Sequence, residues 1–419
     1  MNLFVPFARP LPPPAPQAGR PVARAAQALA RCLFEDILPL WAVVGLDHAQ
    51  GGFAETIEPD GRAGTGPRRV RVSARQVYAF AVAEELGWSR MAARACVRHG
   101  YRFLCGHTSA HGFLFHSLES NGSLRDGGHE LYDQAFLLLA YAHAHRLLGG
   151  GEACARAHEL LRQILARFPA GGGAFATRLD AGGPILANPH MHLLEAALAW
   201  IEIDDAPQWH ALANRIVHLF STCFYDRRHG AVLEAFDLAG KPLAEGGRYR
   251  VEPGHNFEWA WLLMRWERLA GGEAGDLPHT LIRFAETHGV DPVRRVAVNA
   301  VWHDGSSADA RARLWPQTER LKAWLALAEE SRAGAVEEAE RKAAEAAETL
   351  LLYLRPSTAG LWHDVMEPAG SFAAEPAPAS SLYHIACAIR KILAYAGSEG
   401  EAARRLPAPR LEREAQTAH

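Results

Sequence analysis

The chain of 419 residues has no run of 18 consecutive apolar residues, so no segment reads as a helix that spans a bilayer. Its six cysteines, Cys32, Cys96, Cys105, Cys154, Cys223 and Cys387, stand singly, without CxxC spacing, and read as thiols of a reducing compartment. Excess charge is missing too. With 44 Lys and Arg against 47 Asp and Glu, the formal net charge is -3, which gives no bulk electrostatic reason to hold nucleic acid or an anionic membrane. The opening MNLFVPFARPLPPPAPQ lacks a charged segment followed by an apolar one, so the expected location is cytoplasmic. G-x-S-x-G and G-x-x-x-x-G-K-[ST] are absent, and Gly64-Thr65-Gly66 is not completed to G-x-G-x-x-G. Nucleophile-elbow, P-loop and dinucleotide chemistries therefore have no foothold.

What is abundant is helical periodicity. Residues 6–21 carry seven prolines, which predicts an extended tail over 1–21, and the stretch 397–419, rich in Arg, Glu, Ala and Pro, predicts a second one. The domain between them, 22–396, shows a 3.6-residue apolar period in twelve segments near 22–44, 70–87, 89–105, 129–148, 152–168, 189–203, 207–224, 253–270, 276–289, 314–330, 334–354 and 379–396. Their connections alternate between about 20–30 residues and only a few, which puts every long loop at one end of an up-and-down array. The long loops share a cue, Gly52-Phe53, Gly112-Phe113, Gly173-Ala-Phe175, Gly230-Ala-Val232 and Gly360-Leu-Trp362, with 296–302 filling the fifth place; the flanking alternation predicts short β-hairpins. Six such helix pairs close into a ring of inner and outer helices, with the charged segment 334–354 outside; an open solenoid is the alternative.

Each inner segment opens with a polar phrase: Ser-Ala-Arg-Gln at 73–76, Leu-Tyr-Asp-Gln at 131–134, Asn-Pro-His-Met-His at 188–192, Glu-Pro-Gly-His-Asn-Phe-Glu-Trp at 252–259, Leu-Trp-Pro-Gln-Thr-Glu at 314–319 and Ser-Ser-Leu-Tyr-His at 380–384. If the inner N-termini share one face, these phrases converge on one polar pocket. Asn188 is expected to cap its helix, Pro253 and Pro316 to open theirs, and Ser380 or Ser381 to cap the last. His192, His255, Glu319 and His384 then fall near the first turn, where the positive helix end lowers a histidine pKa and leaves neutral imidazoles for acid/base work. His255, Glu258 and Trp259 share a helix face. Arg75, Tyr132, Gln134, Gln317 and Glu319 add hydroxyl-binding groups, and Trp315 or Trp362 an apolar wall, a set that suits a neutral polyol such as a sugar.

His190 and His192 lie two apart and point in different directions on a helix, so no metal site is expected. A glycoside hydrolase would need two opposed carboxylates, for which Glu258 and Glu319 are the inner candidates. Arg248 and Arg250, just before the 252–259 phrase, are the basic residues that could meet a phosphate.

Six phrases, RQVYAF at 75–80, LYDQAFLLLAYA at 131–142, NPHMHLLEA at 188–196, EPGHNFEWAW at 252–261, RLWPQTERLKA at 313–323 and PAPASSLYHI at 376–385, together resemble the N-acylglucosamine 2-epimerase superfamily of sugar isomerases and epimerases. The resemblance implies an all-α (α/α)6 barrel with short β-hairpins on the active-site face. It implies that His255 and His384 are the acid/base pair, and that His192, Asn188, Arg75, Tyr132 and Glu258 contact the sugar. The LWPQTE and SSLYH phrases look most like aldose–ketose isomerases of mannose and fructose, which work through a cis-enediol. The alternative is a 2-epimerase of N-acylglucosamine or a related saccharide. No cofactor is expected, and the expected partner is a small sugar bound by a monomer or homodimer.

Overall fold

A helix apolar on every side, as 131–148 is past its first turn, must be covered all round, whereas one with a single apolar stripe lies at the surface. The computed structural model of the chain, which describes residues 21–405 apart from 180, 332 and 333 and side chains through 397, sorts its helices by that rule. In order they are α1 (Pro21–Arg31), α2 (Leu38–Val43), α3 (Val70–Glu85), α4 (Arg90–Gly106), α5 (Leu131–Leu148), α6 (Glu152–Arg167), α7 (Ala187–Ile201), α8 (Pro207–Leu219), α9 (Pro253–Ala270), α10 (Leu277–Gly289), α11 (Leu314–Glu330), α12 (Ala335–Tyr353) and α13 (Ser381–Arg405). A π turn over Cys32–Ile37 joins α1 and α2 into one rod, so all twelve expected segments are present. The expected tails fall mostly outside the described residues; within them, the last helix runs past 396 to Arg405.

Helices α3, α5, α7, α9, α11 and α13 pack in succession, and α13 returns to α3. That contact closes the inner ring and rules out an open solenoid. The outer layer is α4 on α3, α6 on α5, α8 on α7, α10 on α9 and α12 on α11, with α1 against α12 and α13. In α7 every residue from Pro189 through Ile201 is buried, whereas outer α4 buries Ala93, Cys96, Val97, Gly100, Phe103 and Leu104, one stripe. Each fully buried leucine of this core contributes about 1.5–3 kcal/mol by transfer from water.

All six long loops lie at the N-terminal ends of the inner helices. Hairpins within a loop occur where Ser117–Leu118 pairs with Leu124–Asp126, Tyr225–Asp226 with Ala231–Val232, and Ala300–Trp302 with Ser307–Asp309. The remaining strand pairs differ from the expected hairpins, because they join one loop to the next: Arg68–Arg69 with Ser117–Leu118, Ile185–Leu186 with Ala235–Phe236, Arg250–Val251 with 301–302, and Ala312–Arg313 with Val365–Met366. Thr56–Ile57 pairs with Ala377–Pro378 and so ties the first loop to the last. The recurrent glycines Gly52, Gly112, Gly173, Gly230 and Gly360 all have positive φ, the conformation that favours glycine.

Part of each polar phrase holds this collar in place. Gln134 accepts the Leu114 N–H and donates to its carbonyl, Gln317 does the same to Ala297, Asn256 accepts the Val232 N–H, His190 accepts the Phe175 N–H and Ser73 accepts the Phe53 N–H. Gln134 and Gln317 are thus corrected from hydroxyl-binding groups to buried clamps on loop backbone.

Candidate active site

The collar and the inner helix openings enclose a cavity of about 240 Å³. Arg75 from α3, Tyr132 from α5, Asn188 and His192 from α7, His255 and Glu258 from α9, Trp315 from α11 and His384 from α13 all line it. Glu319 does not. It is fully buried beneath His384 and accepts from that imidazole's Nδ1–H at 2.8 Å, from the Trp261 indole at 3.0 Å and from Lys322 at 2.6 Å. Arg69, Arg313 and Asp364 also line the cavity without having been singled out in the sequence for the pocket, and so do Glu252, Ser380 and Ser381 from the polar phrases, the serines having been expected as caps.

Asn188 is not the helix cap expected of it, because α7 begins one residue earlier, at Ala187. Its side-chain oxygen is buried with no protein partner and lines the cavity. Ser381 donates to Asp364 at 2.8 Å. Trp259 packs on Phe220 and Trp362 stacks on Trp41 at 4.7 Å, so neither forms the apolar wall. Trp315 does, its ring 5.0 Å from that of His255 and 5.7 Å from that of His384. Gly254 makes room for it: a Cβ there would meet the indole at 2.5 Å.

Each histidine leans on a carboxylate through Nδ1, and the surroundings then divide them. Burial pulls His384 down to about 3 and His192 to about 4, so both are neutral near pH 7. His192 is held by Glu195 at 3.2 Å, which also accepts the Tyr383 hydroxyl. His255 goes the other way, against the expectation from the helix dipole. Burial lowers it as well, but the carboxylates of Glu234, 2.8 Å from Nδ1, and Glu252, at 4.0 Å, outweigh both burial and dipole and raise it to about 9. Glu234 arrives from the loop before α9, and its only signal in the sequence was an acid inside the apolar run 230–236.

Glu258 is a buried carboxyl with both oxygens unpartnered, held well above its ordinary value by burial and then by the nearby Glu319. A neutral carboxyl both donates and accepts, which suits a ligand hydroxyl. Arg75 donates to the Tyr132 hydroxyl and to the Ser380 carbonyl at 3.1 Å, with no carboxylate partner among the described residues. Arg69 and Arg313, half-exposed at the rim, bind Glu55 and Glu252. Arg248 stacks on Trp302 and Arg250 sits 4.0 Å from Glu252; neither lines the cavity.

Glu258/Glu319/His384, His192/Glu195/Glu258 and Glu234/Glu252/His255 each bring ligand-type atoms within 4.8 Å. His192/Glu195 and Glu252/His255 are i,i+3 pairs legible along one helix, but the third member of each of those sets, and all three of the Glu258/Glu319/His384 set, come from different helices or loops, which spacing along one helix could not reveal. In each, a histidine Nδ1 already engages a carboxylate. Glu319 lies under the floor and does not line the cavity, so Glu258 and Glu319 do not stand on opposite sides of a sugar bound there, as a glycosidic bond requires of its two carboxyls.

A profile of the N-acylglucosamine 2-epimerase (GlcNAc 2-epimerase) family matches residues 51–388. The chain is 41% identical over 373 residues to a mannose-6-phosphate isomerase of Rhizobium meliloti strain 1021, covering 87% of this chain and 95% of the relative. Among solved structures, a cellobiose 2-epimerase of Bacillus thermoamylovorans superposes with a TM-score of 0.78 at 19% identity, covering 88% of this chain and 98% of the other. A D-mannose isomerase superposes at 0.77 and 19%, covering 88% and 97%. At such identities these two structures bear on the fold alone.

Proposed function

The chain belongs to the N-acylglucosamine 2-epimerase family and is a sugar isomerase or epimerase, and from that premise we propose that it interconverts an aldose and its ketose of the mannose–fructose type. The observation that carries the reading is geometric: two histidines from different inner helices flank one indole, each with Nδ1 on a carboxylate, and their surroundings push His384 down and His255 up. Environments that push two groups apart in this way assign the base and the acid.

The open-chain aldose binds with its C2–H toward His384 Nε2 and its carbonyl oxygen toward His255. His384 takes the C2 proton while His255 gives a proton to O1, leaving a cis-enediol. His384 then returns its proton to C1, and the O2 proton passes to His255, which makes C2 the carbonyl and restores both histidines. Arg75, Tyr132, Asn188, His192 and Glu258 hold the hydroxyls, and Trp315 covers the apolar face of the sugar. The cavity volume of 240 Å³ is below the roughly 300–1,000 Å³ of drug-sized pockets, in keeping with a monosaccharide. Arg69 and Arg313 at the rim are the groups that a phosphate on C6 would meet, the substituent named in the Rhizobium relative.

The test is incubation with mannose, mannose 6-phosphate and N-acetylmannosamine in D₂O, followed by chromatography and NMR of the product. The expected product is a ketose with less than one full deuterium at C1, because one imidazole carries the proton between carbons. A C2-deuterated aldose epimer as main product would move the assignment to 2-epimerisation.

A further inference from the structure

Below the cavity floor lies a lysine that the reaction as described does not use. Lys322 is 1% exposed, one turn along α11 from Glu319, with its ammonium 2.6 Å from Glu319 Oε2, 3.6 Å from Cys387 Sγ and 4.3 Å from the Trp261 ring centroid. A lysine is almost never buried so completely unless it is paired. Here it faces three glutamates from successive inner helices: Glu195 on α7, Glu258 on α9 and Glu319 on α11. Among the described residues, the other titratable or charged groups around the cluster are His192 on α7, 3.2 Å from Glu195 and 3.9 Å from Glu258, His255 on α9, Cys387, Tyr383, His384 and Arg390 on α13, and Tyr78 and Arg75 on α3.

Glu319 spends its two oxygens on different neighbours. Oε2 takes Lys322 and the Trp261 indole, whereas Oε1 takes the Nδ1 edge of His384 at 2.8 Å and the Thr318 hydroxyl at 3.1 Å. A carboxylate on that edge is an acceptor only, so His384 carries its proton on Nδ1 and keeps the Nε2 lone pair for the cavity. A protonated Glu319 could instead donate to Nδ1, which would move the histidine proton to Nε2 and remove the base. Which form exists depends on a cation close enough to hold the third buried acid of this cluster ionised.

We propose that Lys322 is a positioning residue that keeps Glu319 ionised and thereby fixes His384 in the tautomer whose Nε2 lone pair faces the sugar. The proposal rests on the acid/base reading of His384 given above. The depression of Glu319, to which Lys322 contributes against burial, agrees with it.

The experiment compares the wild-type enzyme with K322M, E319Q and the double variant, using kcat and KM across pH and the ¹⁵N shifts of His384, assigned by its loss in H384N. Wild type is expected to show the Nδ1–H tautomer of a neutral ring. In K322M the Nε2–H tautomer should appear, kcat should fall roughly 10²–10⁴-fold with KM little changed, and the acid limb should move up by about one pH unit or more. Because Lys322 acts through Glu319, adding K322M to E319Q should bring no further loss. A folded K322M with the wild-type tautomer and an unmoved acid limb would overturn the proposal, as would losses in the double variant that multiply. Should K322M not fold, K322Q carries the same test, its amide donating to Glu319 without a charge. The tautomer is read without substrate, so failure of the isomerase reading leaves this outcome separately visible.

Discussion

Replacing Glu234 by Gln removes one charge from the Nδ1 side of His255 while keeping a side chain of the same shape. The rise of His255 from 6.5 to about 9 corresponds to about 3 kcal/mol of preference for the imidazolium, and Glu234 at 2.8 Å is its leading source, with Glu252 at 4.0 Å behind it. Taking burial and Glu252 to offset each other once Glu234 is gone, the expected value is the ordinary 6.5 or lower. At pH 8 the protonated fraction then falls from about nine-tenths to about 3%, roughly a thirtyfold loss of the acid form. The assay is ketose formation across pH 5–10, read as kcat/KM. E234Q should lose its rate on an alkaline limb near 6.5, where wild type loses it near 9, and should approach wild-type rates at the acidic end. Stability should follow the same group. A raised histidine pKa stabilises the fold fully below 6.5 and loses that contribution as pH rises through about 9, so denaturant-derived stability of wild type should decline across this window by up to about 3 kcal/mol more than that of E234Q. An alkaline limb that stays near 9 in E234Q would refute the assignment of His255 as the acid held by Glu234.

His255→Ala and His384→Ala should each lower turnover by roughly 10²–10⁴-fold with the helical circular-dichroism signal intact, and near-wild-type turnover in either would remove that residue from the chemistry. Glu258→Gln should leave kcat within about tenfold, because the carboxyl it replaces is already neutral; a loss as deep as that of the histidine variants would mean Glu258 acts as a charge. Gln317→Leu, which orphans the Ala297 N–H and carbonyl, should cost about 1–3 kcal/mol in a denaturant melt, and an unchanged midpoint would argue against the clamp. Prolonged EDTA treatment should leave the rate unchanged; loss restored by a divalent cation would turn the histidine–glutamate sets into ligand sets.

Much of the site was legible because the inner helices repeat. His192, His255 and His384 stand near the start of inner helices one and then two repeats of about 60 residues apart, and once those starts share a face the side chains must converge. The repeat also misled. Gln134, His190, Asn256 and Gln317 belong to the same phrases yet turn to the loop backbone, and nothing local separates a polar residue that faces the cavity from one a few positions along that faces the collar. Glu319 was read as a hydroxyl binder, but it lies more than a turn into α11 and drops beneath the floor.

By itself the sequence determined the twelve helices, their division into covered and striped, and the face on which the long loops gather, because apolar period and connection length are local quantities. Tertiary structure alone decided the closure of α13 on α3, the strand pairs that tie one loop to the next, and the charge on each histidine. The physical reason is that a pKa is set by whatever stands within a few ångströms. Glu234 lies 21 residues from His255, and Glu319 lies 65 from His384, so only the folded ring brings them together and sets the two imidazoles at opposite ends of the histidine range.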